Sequence, residues 1–554
     1  MRLTEIVARI SIVIQSFFNE GGRVRAGRGW RILFVALLIS ACFFISASSA
    51  FANGLSFSNI KVNGWNTTAN TCQVQFDITW SNAWRDAVNW DAAWVFIKFS
   101  TDNGSTWSHV TLAPSGHKTT VGQEAEIVLP TEPVSGYKGV FIQFPATTAS
   151  HTFTATGVKL VWDYGKDGVS DAQIIDAANT SVKVFGIEMV YIPSGSFYIG
   201  DGVAGTESTY AFHENGVDNT AVLISTTSKN ITCDSNANDD IDTTPVAVQG
   251  DIGLPGINSS WPTGYNAFYL MKYEISQGQM RDFLNQLTRT QQNQLIPDFN
   301  SDDWTLRACN CFTSRSAIRN PTSIPGGAIT VGCDFDQNKT FNQTTDGEWI
   351  ACNFLTWPRI SAYADWAALR PATEMEFEKA GRGPNSAVAG EYAWGTTNLT
   401  QATSISNSGA VSEVAGNSGN GLSVEGSNLS VQGPLRVGFA ATGSTTREQA
   451  GAGYYGNMEL SGNLTEYIVT IGNSSGRAFL GTHGDGVLSA QGYATNSDWP
   501  GYVSGQVTGS AGCGHRGGDY SNSSSNCRIS DRLSATSAGG GAYYGGRCAR
   551  TAPS

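Results

Sequence analysis

The chain has 554 residues, enough for two to four domains with sizeable cores. Charged residues are only 14%, while glycine fills 63 positions and aromatics reach 11%, which excludes a disordered chain of low hydrophobicity and points to turns, polar loops and aromatic cores. The net charge is −12, and because residues 1–52 hold six arginines against two glutamates the remainder carries −16. Phosphate recognition draws on clustered Lys and Arg, so nucleic acid is excluded as a partner.

Arg23, Arg25, Arg28 and Arg31 precede an apolar run from Ile32 to Ala47, and Ala50-Phe51-Ala52 closes it with a small-x-small pattern. This is the layout of an export signal spanning residues 1–52, cleaved after Ala52. The run is shorter than the roughly 20 residues of a comfortable membrane span. An uncleaved anchor is one alternative. Lipidation at Cys42 is another, because Ile39-Ser40-Ala41-Cys42 resembles a lipobox. Membrane contact is expected only in those two cases, and the mature chain is expected in the periplasm, on the cell surface or secreted. Nine cysteines follow Cys42. In an exported protein most should pair as structural disulfides, leaving at least one over.

Residues 54–163 read as β. Val74, Phe76, Ile78 and Trp80 alternate with polar residues, the period of a half-buried strand. Trp94–Phe99 reads as a second strand leading into Asp102-Asn103-Gly104, a hairpin-type turn; Gly139–Phe144 and Gly157–Trp162 are a third and fourth. Short strands with regular turns predict an immunoglobulin- or fibronectin-like sandwich. Trp80, Trp84, Trp90 and Trp94 read as packing residues, with a sugar-stacking platform as the sharper alternative. The polar, turn-rich stretch from Asp163 to Asp171 reads as a joint, so residues 164–184 are taken as a linker. Residues 396–453, rich in Gly, Ser, Thr, Asn and Ala, read as a poorly packed insertion or ordered surface loops.

From residue 185 onward the chain resembles the sulfatase-modifying factor, or formylglycine-generating enzyme, family, whose fold is a variant of the C-type lectin fold. Seven segments carry the resemblance in order: Met189–Gly200, Phe268–Gln279, Trp366–Gly383, Tyr392–Gly395, Ser461–Tyr467, Arg516–Gly518 and Gly545–Arg550. The expected fold class is therefore α+β, an N-terminal all-β sandwich followed by a lectin-type domain over 185–554. Residue pattern supports the layout. Thr373-x-x-Glu376 is a capping box, placing Glu374, Glu376 and Glu378 at a helix start, where acidic groups favour the helix dipole. Paired catalytic carboxylates are the alternative for those glutamates.

The resemblance implies an oxidase using copper held by two cysteines five residues apart after the Arg-Gly-Gly. The second position falls on Cys527 and the first on Asn522. An amide does not replace a soft thiolate, so copper is not expected. The histidine-rich iron site of related enzymes is not expected either, since His109, His117, His151, His213, His483 and His515 are scattered. The resemblance also implies a calcium site whose equivalents are Glu459, Gly462, Leu464 and Glu466, oxygen donors suited to Ca2+; a capped polar loop without metal is the alternative. Asp234-x-Asn236-x-Asn238 begins like a calcium loop, but Asp239 stands at the turn glycine and Pro245 at the twelfth position, so it reads as a solvated acidic loop.

Between Arg516 and Arg550 two kinds of residue alternate. Arg516-Gly-Gly518, Cys527-Arg528, Ser530, Arg532 and Gly545-Gly-Arg547 read as framework. Between them lie Asp519, Tyr520, Ser521, Asn522, Ser523, Ser524, Leu533, Ser534, Thr536, Tyr543 and Tyr544. This segment, 516–550, resembles the variable region of retroelement-diversified proteins built on the same lectin-type fold, in which randomised Asn codons yield such residues. Tyr offers large contact area at low entropic cost and Ser, Gly and Asn offer adaptable hydrogen bonds, as in antibody paratopes. The expected function is an exported, non-catalytic protein binding a protein or glycan through these loops. An active formylglycine-generating oxidase and a structural or adhesive surface protein are the two competing readings.

Overall fold

The computed structural model describes residues 54–131, 136–175, 179–202, 211–214, 220–227, 229–232, 246–248, 257, 259–296, 314–426 and 433–553. The expected export signal with Cys42, the Asp234–Asn238 stretch, Cys233, Cys309 and Cys311 lie outside them. Among the described residues no helix is long and apolar enough to cross a membrane.

The β region contains β1 (Ser56–Asn66), β2 (Thr71–Arg85), β3 (Asp91–Ser100), β4 (Ser108–His109), β5 (Glu126–Val128), β6 (Val140–Gln143) and β7 (Thr148–Asp163). The alternation seen over residues 74–80 runs through most of β2. Cys72, Val74, Phe76, Ile78 and Trp80 are buried, with half-exposed polar neighbours between them. β2 pairs antiparallel with β1 on one edge and β7 on the other, and Trp80 stacks on Phe153 with ring centroids 4.0 Å apart. Trp94 is also wholly buried, and half-buried Trp90 stacks on Tyr191 at 3.9 Å. Packing therefore accounts for these three tryptophans.

The opposing layer is not confined to the β region. β3 is buried along its whole length, and it pairs antiparallel with β8 (Ser181–Ile192) over ten residue pairs, from Asp91↔Val190 to Ser100↔Ser181. β8 thus begins inside the segment read as a linker, which otherwise holds a turn and α1 (Asp171–Ile175). The sheet continues through β9 (Phe268–Met271), while β10 (Arg370–Pro371) forms its far edge. Further along come β11 (Thr465–Val469), β12 (Cys513–Arg516), β13 (Tyr544–Gly545) and β14 (Cys548–Thr551). The order in the large sheet is β10, β14, β9, β8, β3, β6, β5, with β4 on β3. One sheet crosses the expected domain boundary, because strand pairing joins residues that a polar turn separates in sequence.

Both faces of the β3–β8 pair are covered. On one side β1 approaches so closely that a Cβ on Gly186 would lie 2.7 Å from Phe57 Cζ. On the other, α4 (Trp357–Trp366) presents Trp366 edge-on to Phe96 at 5.0 Å, and Trp94 Nε1 donates to the Ala367 carbonyl at 2.8 Å. α2 (Gln277–Leu284) and α3 (Arg289–Leu295) each start on a capping box. The architecture is α+β, with a sandwich whose second sheet is shared by the lectin-type region.

The six described cysteines, Cys72, Cys333, Cys352, Cys513, Cys527 and Cys548, are buried and free, so the disulfide expectation does not hold for them. They pack as small apolar groups, and burial pushes the Cys72 and Cys513 thiols up to about 12. Residues 396–453 are not loose where described. Leu422, Val424, Leu435, Val437 and Phe439 form a small core there with Tyr273.

Helix α5 (Glu374–Arg382) organises the rest. Thr373 caps it as expected, accepting from Glu376 N–H at 3.2 Å while Glu376 accepts from Thr373 N–H at 3.0 Å. Its three glutamates are buried and held by guanidinium groups. Arg370 grips Glu376 at 2.6 and 2.9 Å. Arg532 and Arg516 meet on Glu374 at 2.6 and 3.3 Å. Arg516 also reaches Glu378 at 2.6 Å, and Arg382 bridges Glu378 (3.1 Å) and Glu391. With every carboxylate bound to a guanidinium, the catalytic-carboxylate alternative falls. Removing one partner from such a network leaves a buried uncompensated charge. Arg516→Met should cost about 3–5 kcal/mol in urea unfolding. The double variant Arg516→Met/Glu378→Gln should lose less than the two single losses combined.

A second buried cluster lies under β11. Arg547 grips Glu466 at 2.6 and 2.7 Å, while Glu274 accepts from Leu464 N–H (3.0 Å) and the Asn463 amide. Burial, opposed in part by Arg547, pushes Glu459 up to about 7; burial and the charges of Glu466 and Glu459 hold Glu274 well above the carboxylate range. Between roughly pH 4.5 and 7 the folded chain therefore binds protons that the unfolded chain has released, so stability should rise as pH falls through that window. Glu459→Gln should shrink the gain between pH 8 and 5.5 by roughly 2 kcal/mol, measured as urea midpoints at the two pH values.

Candidate functional site

The strand β11 fixes where the C-terminal loops begin and end. It pairs antiparallel with β12, Glu466 opposite Arg516, and parallel with β13, where Glu466 faces Gly545. The chain from 517 to 543 therefore leaves and returns at the same point of one strand. Gly517 and Gly518 make the exit with φ of 91° and 65°, and a Cβ on Gly518 would lie 2.7 Å from Cys527 Sγ. No other residue fits that turn without displacement.

Inside the excursion the framework residues turn inward. Arg516 donates to the Ile529 carbonyl at 2.7 Å in addition to its carboxylates, and Arg532 lies over the Phe212 ring at 4.0 Å. Cys527, Ile529, Ser530, Gly545 and Arg547 are buried, while Arg528 is half-exposed. Of the eleven candidate binding residues, nine reach the surface. Ser523 and Tyr543 are exposed, Tyr543 by 42%, and Ser521, Asn522, Ser524, Leu533, Ser534, Thr536 and Tyr544 are partly exposed.

Asp519 and Tyr520 are the two exceptions. Asp519 Oδ1 accepts from Ser521 N–H at 2.8 Å and from its hydroxyl at 2.7 Å. Tyr520 is 8% exposed, donates its N–H to the Asn463 carbonyl at 3.0 Å and packs against Tyr543 at 5.3 Å. Burial pushes its phenol up to about 12. Both shape the loop from beneath rather than present a side chain to solvent.

The Tyr520–Tyr543 contact joins the first loop to the end of the excursion. The stretch containing Leu533, Ser534 and Thr536 lies along the outer edge of β12, where His515 N–H donates to the Ser534 carbonyl at 2.8 Å. Buried His515 sits between Tyr467 (4.4 Å) and Tyr544 (4.6 Å), and burial depresses it to about 3, leaving it neutral. The nine outward candidates are themselves all neutral: serine, asparagine, threonine, leucine and tyrosine. The face also recruits a residue that no local pattern singled out. The Asn522 carbonyl accepts from Gly426 N–H at 2.7 Å. That partner comes from a distant segment, so sequence spacing carries no sign of it.

The donors do not suit copper. Cys527 is wholly buried, and burial together with the carboxylates of Glu425, Asp519 and Asp531 holds its thiol well above the usual range. It is a neutral thiol, and Asn522 at the partner position accepts from Asp519 N–H at 3.2 Å. In the calcium set carried by the resemblance the two carboxylates differ in what holds them. Both oxygens of Glu466 are taken by Arg547, so they are not free for a cation. Glu459 accepts from Gly438 N–H at 2.9 Å and keeps its other oxygen buried without a hydrogen-bond partner.

Two solved structures are similar to part of this chain. PvdO from Pseudomonas aeruginosa is similar over 66% of this chain and 94% of its own, with 12% identity and a TM-score of 0.31. Treponema denticola variable protein 1 is similar over 66% of this chain and 96% of its own, with 13% identity and a TM-score of 0.27. A search of the curated proteins finds no match. The sulfatase-modifying factor enzyme 1-like domain matches residues 178–552, the span from β8 to β14, and the chain belongs to that family.

Proposed function

We propose that this protein is an exported receptor that binds a protein or glycan through its C-terminal face, on a family scaffold that no longer carries copper chemistry. The observation that carries this reading is the match between residue type and direction along 516–550. Buried Arg516, Gly517, Gly518, Cys527, Ser530, Arg532 and Arg547 fix the backbone, while Ser, Asn, Thr, Leu and Tyr side chains between them reach the surface. Such an arrangement tolerates exchange of the outward residues without touching the core. That is the property a retroelement-diversified variable region requires, and we assign the segment that role. Recognition by aromatic contact area and neutral hydrogen bonds suits a paratope, and the −16 charge of the chain beyond residue 52 disfavours nucleic acid as the ligand.

Tyr543→Ala together with Ser523→Arg should weaken binding to a ligand found on a glycan or protein array at least tenfold, with an unchanged melting temperature. Unaltered binding would favour an adhesive or structural role instead. Copper-dependent conversion of a cysteine-containing sulfatase peptide, lost in Cys527→Ser, would restore the oxidase reading. Sister strains should differ at the outward positions and agree at the framework.

Export rests on the arginine-flanked apolar run before Ala52. N-terminal sequencing of the chain from the exported fraction should begin at Asn53; a blocked or lipid-modified Cys42 would point to a lipoprotein.

A further inference from the structure

A second feature lies away from the C-terminal face. The short pair Ile318–Arg319 and Gly332–Cys333 runs into a loop from Asp334 to Asp346. Carboxylate oxygens of Asp334, Asp336 and Asp346 lie within 4.8 Å of one another. Asp334 pairs with Arg319 at 2.6 Å. Asp336 is exposed, its oxygens accepting from the Asn338 backbone (3.1 Å) and amide (2.8 Å). Asp346 is fully buried. Its Oδ2 accepts from Gln343 N–H at 2.7 Å, while Oδ1 has no hydrogen-bond partner.

A buried carboxylate oxygen without a donor is costly, and two further carboxylates beside it raise that cost. A hard cation removes both penalties at once. The spacing agrees: Asp334, Asp336 and Asn338 stand at the first, third and fifth positions of a calcium-type loop, and Thr340 stands at the seventh, where such loops use a backbone carbonyl. At the sixth, where such loops need a glycine, Lys339 adopts φ 67°. The closing acid, Asp346, falls at the thirteenth position rather than the twelfth, and the loop follows a strand rather than a helix. It is therefore not an EF-hand. We propose that Asp334, Asp336 and Asp346 form a Ca2+ site that ties this loop to the 314–320 segment. Mg2+ is a poor alternative, because it demands a near-ideal octahedron and gives up its waters reluctantly.

The link to 314–320 is direct: Asp334 N–H donates to the Ala317 carbonyl at 2.9 Å, and Arg319 contacts Asp334. Calorimetric titration of the chelator-treated mature protein with CaCl2 tests the site. One ion should bind per chain and raise the melting temperature, with a smaller response to MgCl2. Asp336→Asn changes an exposed side chain and should leave the fold intact. It should lower Ca2+ affinity at least tenfold and remove the thermal gain, as should Asp346→Asn, whereas Glu459→Gln should leave both unchanged. Absence of binding in the parent would overturn the site. So would a calcium response that survives both aspartate variants or vanishes with Glu459→Gln.

Discussion

The structure depends on the buried charge network of α5. Four carboxylates, Glu374, Glu376, Glu378 and Glu391, meet four guanidinium groups, Arg370, Arg382, Arg516 and Arg532, at side chains almost wholly removed from water. Each ion alone would be very costly to bury, and together they are tolerable only because the charges balance and the geometry is close. The network is a condition as much as a source of stability. Residues 370, 391, 516 and 532 must all arrive before any of them is comfortable. That requirement fixes the C-terminal segment to the helix regardless of what its outward side chains are.

β11 converts that anchoring into a face. Arg516 lies opposite Glu466 across β12, Gly545 lies opposite the same glutamate across β13, and Arg547 closes on its carboxylate. Both ends of the excursion are pinned at one residue, and Arg532 pins its middle. Between these fixed points the outward side chains take no part in the buried ion pairs. Asp519 and Tyr520 are not among them, since a charge bonded to its own loop and a ring packed under Tyr543 are parts of the support.

What was legible in the sequence was local. The alternation of β2, the Thr373 capping box and the split between framework and outward residues follow from periodicity or side-chain chemistry within a few positions. The sharing of one sheet between β3 and β8 was hidden, because hydrogen-bonded neighbours 80 to 100 residues apart leave no mark on either strand, whereas the intervening polar turn looks like a joint. The disulfides expected from cysteine count were not formed by the six described thiols, since count says nothing of distance. Burial of Tyr520 was likewise invisible, for its N–H is held by the carbonyl of distant Asn463. The Asp334-x-Asp336-x-Asn338 spacing was present in the chain, but its closing residue, Asp346, falls outside the usual register. Only the folded loop brings it back.

The surroundings of Cys527 bear on the copper chemistry that the family resemblance implies. A copper pair needs two thiolates, and thiolate formation needs positive or at least neutral surroundings. Here Glu425, Asp519 and Asp531 surround the sulfur, and the partner position holds an amide. Burial is the main cause that holds the Cys527 thiol above its usual range, and the three carboxylates add to it. The same carboxylates serve the loop: Asp519 closes the Ser521 turn, and Asp531 receives Leu533 N–H at 3.2 Å. Asp519 and Asp531 thus both shape the C-terminal loops and add to the burial that opposes ionisation of Cys527.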